Sequence, residues 1–473
     1  MTTEPLDGVT GRPVRVVESW DEGLRSTDPI GFPNYRAPEP GEESVRTSLI
    51  ELGGRAVVWI DCDFHRCGGT MGVVAGERVV RAFDRALRLG APVVQTVSTG
   101  GVRLQEGMAA LLQMPRTTAA AVRHAAAGLR SAAYLSSPTT GGVFASFVSL
   151  TDLRAAEPSA TIGFGGPRVV AEVTGEYPPP TSHTAESALR HGLIDAVVSR
   201  ADSWAWLAAA VGAGQAPPLA LPPGRPDRVE PSHPAGSPHE LLRAARRSSR
   251  PSGLEWAAWL TDSWTELAGC DPALRAGLAT VGERPVLVLA MDRFAGAHRH
   301  GAPGPGAYRL AQRALELAGR LKLPVLSLVD TPGAFPGPAS EAGGLAGEIA
   351  RTLARFETLP TVSITLVVGE GGSGGAMALA HTDRLLMLEG AAFCVIGPEL
   401  GAAILHRDAT RAPGLATAFR ITPADLVGLG VADAVLPESV TGVRTAVLHA
   451  LRRARVGERR TRPALVTAEA LSG

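Results

Sequence analysis

The chain has 473 residues with 46 basic and 46 acidic side chains, so its net charge is zero, and 45% of it is hydrophobic. That content supports a sizeable core and two or three domains, and the charge balance argues against nucleic acid as the main partner. A single lysine, Lys322, lies in Gly319-Arg-Leu-Lys-Leu-Pro324, a context that fits no P-loop, pyridoxal Schiff base or biotinyl-lysine. Asn is equally rare, with Asn34 alone, so the scarcity itself reads as the codon bias of a GC-rich genome.

From the N-terminus, Met1 to Pro13 is polar and lacks the apolar stretch of a secretory signal. No apolar run is long enough for a membrane span, and a cytoplasmic location is expected. The four cysteines, Cys62, Cys67, Cys270 and Cys394, are too scattered for a disulfide framework. Cys62 and Cys67 alone do not make a four-ligand zinc site, so no metal is expected.

Val79, Val80, Phe83 and Leu87 mark a helix that leads into the strand-like run Leu89-Gly-Ala-Pro-Val-Val-Gln-Thr-Val-Ser-Thr-Gly-Gly101. Next, Thr139-Thr-Gly-Gly-Val-Phe-Ala145 opens a second helix. A Thr151-Asp152 pair follows, then a strand end at Ile162-Gly163 and a closing turn and strand over His191-Gly-Leu-Ile-Asp-Ala-Val-Val198. Between Pro217 and Pro238 there are eight prolines, which suit neither helix nor sheet interior. Residues 214–252 are therefore expected to be a linker.

Beyond it the same order returns. Leu310, Ala314, Leu317 and Leu321 mark a helix before Leu323-Pro-Val-Leu-Ser-Leu-Val-Asp-Thr-Pro-Gly333. Gly371-Gly-Ser-Gly-Gly-Ala-Met377 opens the next helix, followed by Thr382-Asp383, Ile396-Gly397 and Leu429-Gly-Val-Ala-Asp-Ala-Val-Leu436. The repetition indicates an internal duplication of an α/β unit, with domains at 15–213 and 253–460.

Paired glycines between a strand end and a helix start leave backbone N–H groups open to a ligand, at the positive end of the helix dipole. Such a pocket holds an oxyanion. Thr99-Gly100-Gly101-Val102 and Ser373-Gly374-Gly375-Ala376 qualify best. Ser98, His65 and Asp63 form no evident triad. Asp330 either reacts or caps its turn, the cap being favoured. Arg103 and Glu106 read as an ion pair that orients the loop. His298-Arg-His300 lacks metal-ligand spacing, and no dinucleotide fingerprint follows a strand. Two oxyanion sites without a side-chain base suit a reaction in which both partners carry carbonyls that become enolate-like, one of them supplying the base.

The motifs resemble the carboxyltransferase component of acetyl-CoA carboxylase with its β and α subunits fused in that order. Gly68-Gly-Thr-Met-Gly72, Gly100-Gly-Val-Arg-Leu-Gln-Glu-Gly107, Pro138-Thr-Thr-Gly-Gly-Val143 and Ile162-Gly-Phe-Gly-Gly-Pro-Arg168 are similar to the β subunit. Asp330-Thr-Pro-Gly-Ala-Phe-Pro-Gly337, Gly369-Glu-Gly-Gly-Ser-Gly-Gly-Ala376 and Met387-Leu-Glu389 are similar to the α subunit.

The resemblance implies two crotonase-like ββα spiral domains in tandem. It implies transfer of a carboxyl group from carboxybiotin, on a carrier protein, to acetyl-CoA, giving malonyl-CoA. It implies that Gly100 and Gly101 hold the thioester oxygen as catalytic donors, with Val102, Gly141 and Gly142 on the acyl-CoA side. Gly374 and Gly375 would hold the biotin ureido oxygen, with Gly372 and Ala376 beside them. The implied partners are a biotin carboxyl carrier protein, a biotin carboxylase and a second copy in a homodimer. No zinc is implied, because the family's four-cysteine ribbon has no counterpart before Cys62. The family's Gly-Gly-Ala-Arg-Met-Gln-Glu reads here with Val102 and Leu104, a variant similar to the β subunit of biotin-independent malonate decarboxylase. A malonyl-thioester decarboxylase or a non-catalytic carboxylase scaffold are the alternative expectations.

Overall fold

The computed structural model describes residues 15–229, 236–295 and 301–472. The chain divides into two compact units at Ala216–Pro217. The first holds β1 (Arg15–Trp20), β2 (Val45–Leu52), β3 (Arg55–Cys62), β4 (Val93–Thr99), β5 (Ser131–Thr140), β6 (Leu153–Ala156), β7 (Ile162–Gly163) and β8 (Ala196–Val197). Its sheet runs β1-β2-β3-β4-β5-β6-β8, with β7 paired to the end of β5. The second holds β9 (Ser263–Leu267), β10 (Leu274–Val281), β11 (Arg284–Met291), β12 (Val325–Thr331), β13 (Ser363–Gly372), β14 (Arg384–Leu388), β15 (Ala392–Cys394) and β16 (Ala434–Leu436). Its order is β9-β10-β11-β12-β13-β14-β16, with β15 paired to the end of β13. The expected tandem of α/β spirals is the architecture found.

In each unit an antiparallel hairpin, β2–β3 or β10–β11, passes into parallel strands. β4 and β12 are buried along their whole length, including polar residues such as Gln95, Thr96, Ser327 and Asp330, as expected of central parallel strands covered on both faces. The helices that cover them, Val73–Leu89 and Pro305–Leu321, each have 17 residues. Both end in a left-handed residue, Gly90 (φ 60°) and Lys322 (φ 56°). From these helices to the ends of β5 and β13 the two units keep one constant spacing, so Val93 matches Val325 and Ser131 matches Ser363. Val79 and Phe83 are buried as the periodicity predicts, whereas Leu87 is exposed and Ala82 and Ala86 complete the buried face.

Three boundaries differ from expectation. Pro238–Ala245 is a helix inside the supposed linker, because Ser237 caps it by accepting the Glu240 N–H and Pro238 occupies its first turn. Leu242 packs with Ala392, Cys394, Ala416 and Ile421, so this stretch belongs to the second unit. The chain also continues past 460 in the helix Glu458–Ser472, whose buried Arg459 pairs with Asp383 at 2.8 Å. Finally, β15 ends at Cys394, two residues before Ile396-Gly397, because Phe393 and Cys394, not Ile396 and Gly397, pair with Gly371 and Gly372. Among the described residues no helix is long and apolar enough to cross a membrane.

Candidate functional site

β4 ends at Thr99, whose hydroxyl donates to Gly69 O (2.6 Å) and accepts the Gly101 N–H (3.0 Å). The Gly100 N–H donates to Gly68 O (2.9 Å). Both N–H groups expected to face a ligand are thus consumed in holding the loop, which corrects the assignment to Gly100 and Gly101. The next residue is different. Met71 and Val102 form a parallel bridge. In it the Met71 N–H donates to Gly101 O (2.8 Å) and the Arg103 N–H to Met71 O (3.0 Å). By the alternation of strand bonding, the Val102 N–H points away from Met71, and no hydrogen bond uses it among the described residues.

β5 ends at Thr140, and Gly141 follows at φ 71°, its N–H donating to Phe164 O (2.8 Å). The Gly142 N–H, in the first turn of a helix, has no partner among the described residues. The two backbones touch. A β-carbon on Gly101 would stand 3.0 Å from Gly141 Cα and 3.2 Å from Gly142 N. Two free donors, Val102 and Gly142, therefore flank the closest approach of the loops.

The second unit repeats this at the same register. The Gly333 N–H donates to Thr331 Oγ1 (3.2 Å), as Gly101 does to Thr99. The Phe335 N–H donates to Pro303 O (3.0 Å), as Arg103 does to Met71. Ser373 takes φ 56°, matching Gly141. The corresponding free donors are Ala334 and Gly374. A β-carbon at Gly375 would lie 2.3 Å from Ala334 N, so Gly375 is there to admit the Ala334 backbone. Gly372 does the same for Pro332, whose oxygen would be 2.0 Å from a β-carbon. Ala376 is fully buried and offers its side chain to the core. Gly374 is open, with nothing within 4 Å of a β-carbon.

Among the described residues no side chain near either pair forms a triad. Ser98 donates to Ser137 O (3.1 Å), and Asp63 accepts the His65 N–H (2.9 Å). Asp330 does not cap its turn, a role taken by Thr331. It is buried, accepts the Glu370 N–H (3.1 Å) and pairs with Arg293 at 3.1 Å. Burial pushes its carboxyl up to about 6, against the pull of Arg293. Burial likewise pushes the Cys394 thiol up to about 12. His298 and His300 lie outside the described residues. Among the described residues no group of three or more His, Cys, Asp or Glu could hold a metal ion.

The expected Arg103–Glu106 ion pair is present and larger than expected. Arg103 contacts Glu43 as well as Glu106 (3.0 Å), and all three are buried. Tyr35 donates its hydroxyl to Glu106 (2.8 Å). Burial and that bond push the Tyr35 hydroxyl up to about 12, which keeps it a donor. Sequence reasoning missed Glu43 and Tyr35, which lie far from the glycine motif. Beside the network is a cavity of about 660 Å³, lined by Arg36, His65, Arg66, Thr70, Arg103 and Gln105 among others.

Residues 34–201 match the family described as carboxyl transferase domain, and residues 236–458 match acetyl co-enzyme A carboxylase carboxyltransferase-like. The chain is 40% identical to an acetyl-coenzyme A carboxylase carboxyl transferase subunits beta/alpha of Salinispora arenicola, over 89% of this chain and 81% of the relative. It is 37% identical to a probable biotin-dependent acyl-coenzyme A carboxylase beta3 subunit of Mycobacterium bovis, over 88% of this chain and 84% of the relative. The transcarboxylase 12S crystal structure has the same fold, with a TM-score of 0.75, 22% identity and coverage of 93% and 88% of the two chains. The duplicated donor pairs, the two family matches and the identity over most of the chain place it in one family: the chain belongs to the carboxyltransferases of biotin-dependent acyl-coenzyme A carboxylases.

Proposed function

We propose that the chain moves a carboxyl group from carboxybiotin to acetyl-CoA, forming malonyl-CoA. The observation that carries this reading is the register-matched pair of free backbone donors, Val102 with Gly142 and Ala334 with Gly374. In the first unit the two N–H groups receive the thioester oxygen as the acyl group becomes enolate-like. Losing one such donor typically costs about 2.7–4 kcal/mol of transition-state stabilisation. In the second unit the Ala334 and Gly374 N–H groups, at the head of the helix Ser373–Ala380, receive the ureido oxygen of biotin. Open space at Gly374 and the absence of a side chain there fit a neutral ring oxygen. Carboxybiotin, when bound, supplies the carboxyl group. The chain's own residues contribute donors and orientation, and no side-chain base is assigned.

Arg36 and Arg66 beside the large cavity supply the cations for the CoA phosphates, a task that arginine performs by bidentate contacts. A carrier protein bearing biotin and a biotin carboxylase are the proposed partners, in the cytoplasm. A homodimer is proposed because the helices Pro167–Thr174 and Pro398–His406 each expose two apolar side chains one turn apart, Val169 with Val173 and Leu400 with Ile404, the kind of surface that partners cover. The Leu104 departure does not favour a decarboxylase, since that side chain is 81% exposed. Incubation with malonyl-CoA and free biotin tests the reading by the acetyl-CoA it releases.

A further inference from the structure

The buried ions next to the first donor pair touch no open donor themselves, yet they tie down the segments on both sides of Val102. Arg103 donates to Thr70 O (2.9 Å) and Thr70 Oγ1 (3.3 Å), to Glu43 (3.1 Å) and to Glu106 (3.0 Å). Ser44 donates its hydroxyl to the same Thr70 oxygen (2.7 Å). Glu106 accepts the Val73 N–H (2.6 Å), which caps the helix Val73–Leu89 with a carboxylate where its dipole favours one. A β-carbon on Gly72 would meet Glu106 Oε1 at 2.5 Å and Arg103 Nη1 at 2.7 Å, so the chain passes the cage in contact. The cage thus clamps residues 70–73 on one side of the Met71–Val102 bridge and residue 103 on the other.

The fold does not demand this arrangement. At the matching position the second unit has Phe335, which makes the same backbone bond to Pro303. Pro305, at the position of Val73, has no N–H to be capped, and the start of that helix is held by one bond from the preceding Gly304 N–H to Asp271 (2.7 Å). The same turn is therefore built with no arginine at its centre. Burying three charges around this turn carries a desolvation penalty, whereas the second unit places the uncharged Phe335 at the position of Arg103.

We infer that the Glu43–Arg103–Glu106–Tyr35 cage is a positioning device, holding the Gly101–Val102 peptide plane so that its N–H meets the thioester oxygen in the transition state. This rests on the acyl-thioester reading of that donor pair. Arg103 lines the wall of the large cavity but meets no reacting atom in this scheme, and it acts on the thioester through Thr70, Met71 and Val102. Because lysine offers a point charge and no fork, Arg103→Lys keeps the charge and loses the clamp. Tyr35→Phe removes one bond to Glu106 while keeping the ring.

The test uses the whole chain and acetyl-CoA labelled with 13C at the carbonyl, read by infrared difference spectroscopy with binding measured in parallel. In the parent the bound carbonyl band lies below its position in water, as polarisation by two donors requires. In both variants the band is expected to move back towards the free position while acetyl-CoA still binds. Turnover is expected to fall about ten-fold or more in Arg103→Lys, with KM changed by less than about three-fold, the pattern of an interaction made mainly in the transition state. A mere loss of correctly folded protein would lower turnover and leave the band of the bound fraction where it was. If Arg103→Lys does not fold, Tyr35→Phe carries the test. A parent-like band in the folded variants overturns this inference alone, as does loss of acetyl-CoA binding in folded Tyr35→Phe. An unshifted band in the parent overturns the proposed site, and this inference with it.

Discussion

Gly101 and Gly141 are in mutual contact: a β-carbon on either would stand 3.0 Å or less from the Cα of the other. That approach brings two strand ends together and leaves the N–H groups of the following residues, Val102 and Gly142, side by side. The second unit achieves the same with Gly375 beside Ala334. The two pairs make different demands on their glycines.

At Gly142 a β-carbon would lie 2.5 Å from Val102 Cγ2 and 2.7 Å from Met114 Sδ. Gly142→Ala is therefore expected to displace both donors, and turnover should fall by on the order of 10²–10³-fold. Gly374 has open space at the same point. Gly374→Val is expected to keep its circular dichroism spectrum and melting temperature while turnover falls by on the order of 10²-fold, because the new side chain stands in the approach to the N–H. Equal activity of Gly374→Val and the parent would remove Gly374 from the site.

Asp330 gives a pH dependence of definite sign. Burial raises its folded-state pKa to about 6, so the folded state holds its proton more tightly than the unfolded one. Its contribution to stability is complete below the unfolded value near 4 and is lost as pH rises through about 6. Asp330→Asn lacks that titration. The unfolding free energy of the parent, taken relative to Asp330→Asn in urea, should decline by on the order of 1–3 kcal/mol between pH 4 and 7. The decline is what is read, since the unpaired Arg293 shifts the variant by a constant.

Arg66 borders the large cavity and pairs with Asp63 at 3.4 Å, while Arg36 pairs with Glu42 at 2.7 Å. If they receive the CoA phosphates, Arg66→Ala should raise the KM for acetyl-CoA about ten-fold and leave kcat within about two-fold. The double variant with Arg36→Ala should add to this, whereas KM for free biotin should stay unchanged.

Lys322 ends its helix at φ 56°, the place Gly90 takes in the first unit. A left-handed conformation costs a side-chain-bearing residue roughly 1–2 kcal/mol, part of which glycine returns as chain entropy. Lys322→Gly is expected to raise stability by about 0.5–1 kcal/mol in a denaturant titration, with turnover unchanged.

The duplication was legible because helix, buried strand and glycine turn each leave a local signature, and the order repeats from Val79 to Val198 and again from Leu310 to Leu436. The donors themselves were not. Gly100 and Gly101 look open in the sequence, but Gly68 O and Thr99 Oγ1 consume their N–H groups, and the first of these lies in a different loop. Val102 and Ala334 carry no glycine to mark them. The shared Thr-x-Gly of Thr99 to Gly101 and Thr331 to Gly333 was the available signal, since it places both residues one step after the turn. The Pro-rich segment misled for a related reason. Pro238 follows a capping serine, where proline starts a helix rather than preventing one.

Turnover of malonyl-CoA with and without free biotin tests the central claim most directly. Two donor pairs serving two carbonyl partners require acetyl-CoA to appear only when biotin is present, with the rate rising to saturation in biotin and lowered by on the order of 10²-fold or more in Gly142→Ala and Gly374→Val alike. Release of CO2 at the same rate without biotin would contradict the account and assign the chain to thioester decarboxylation.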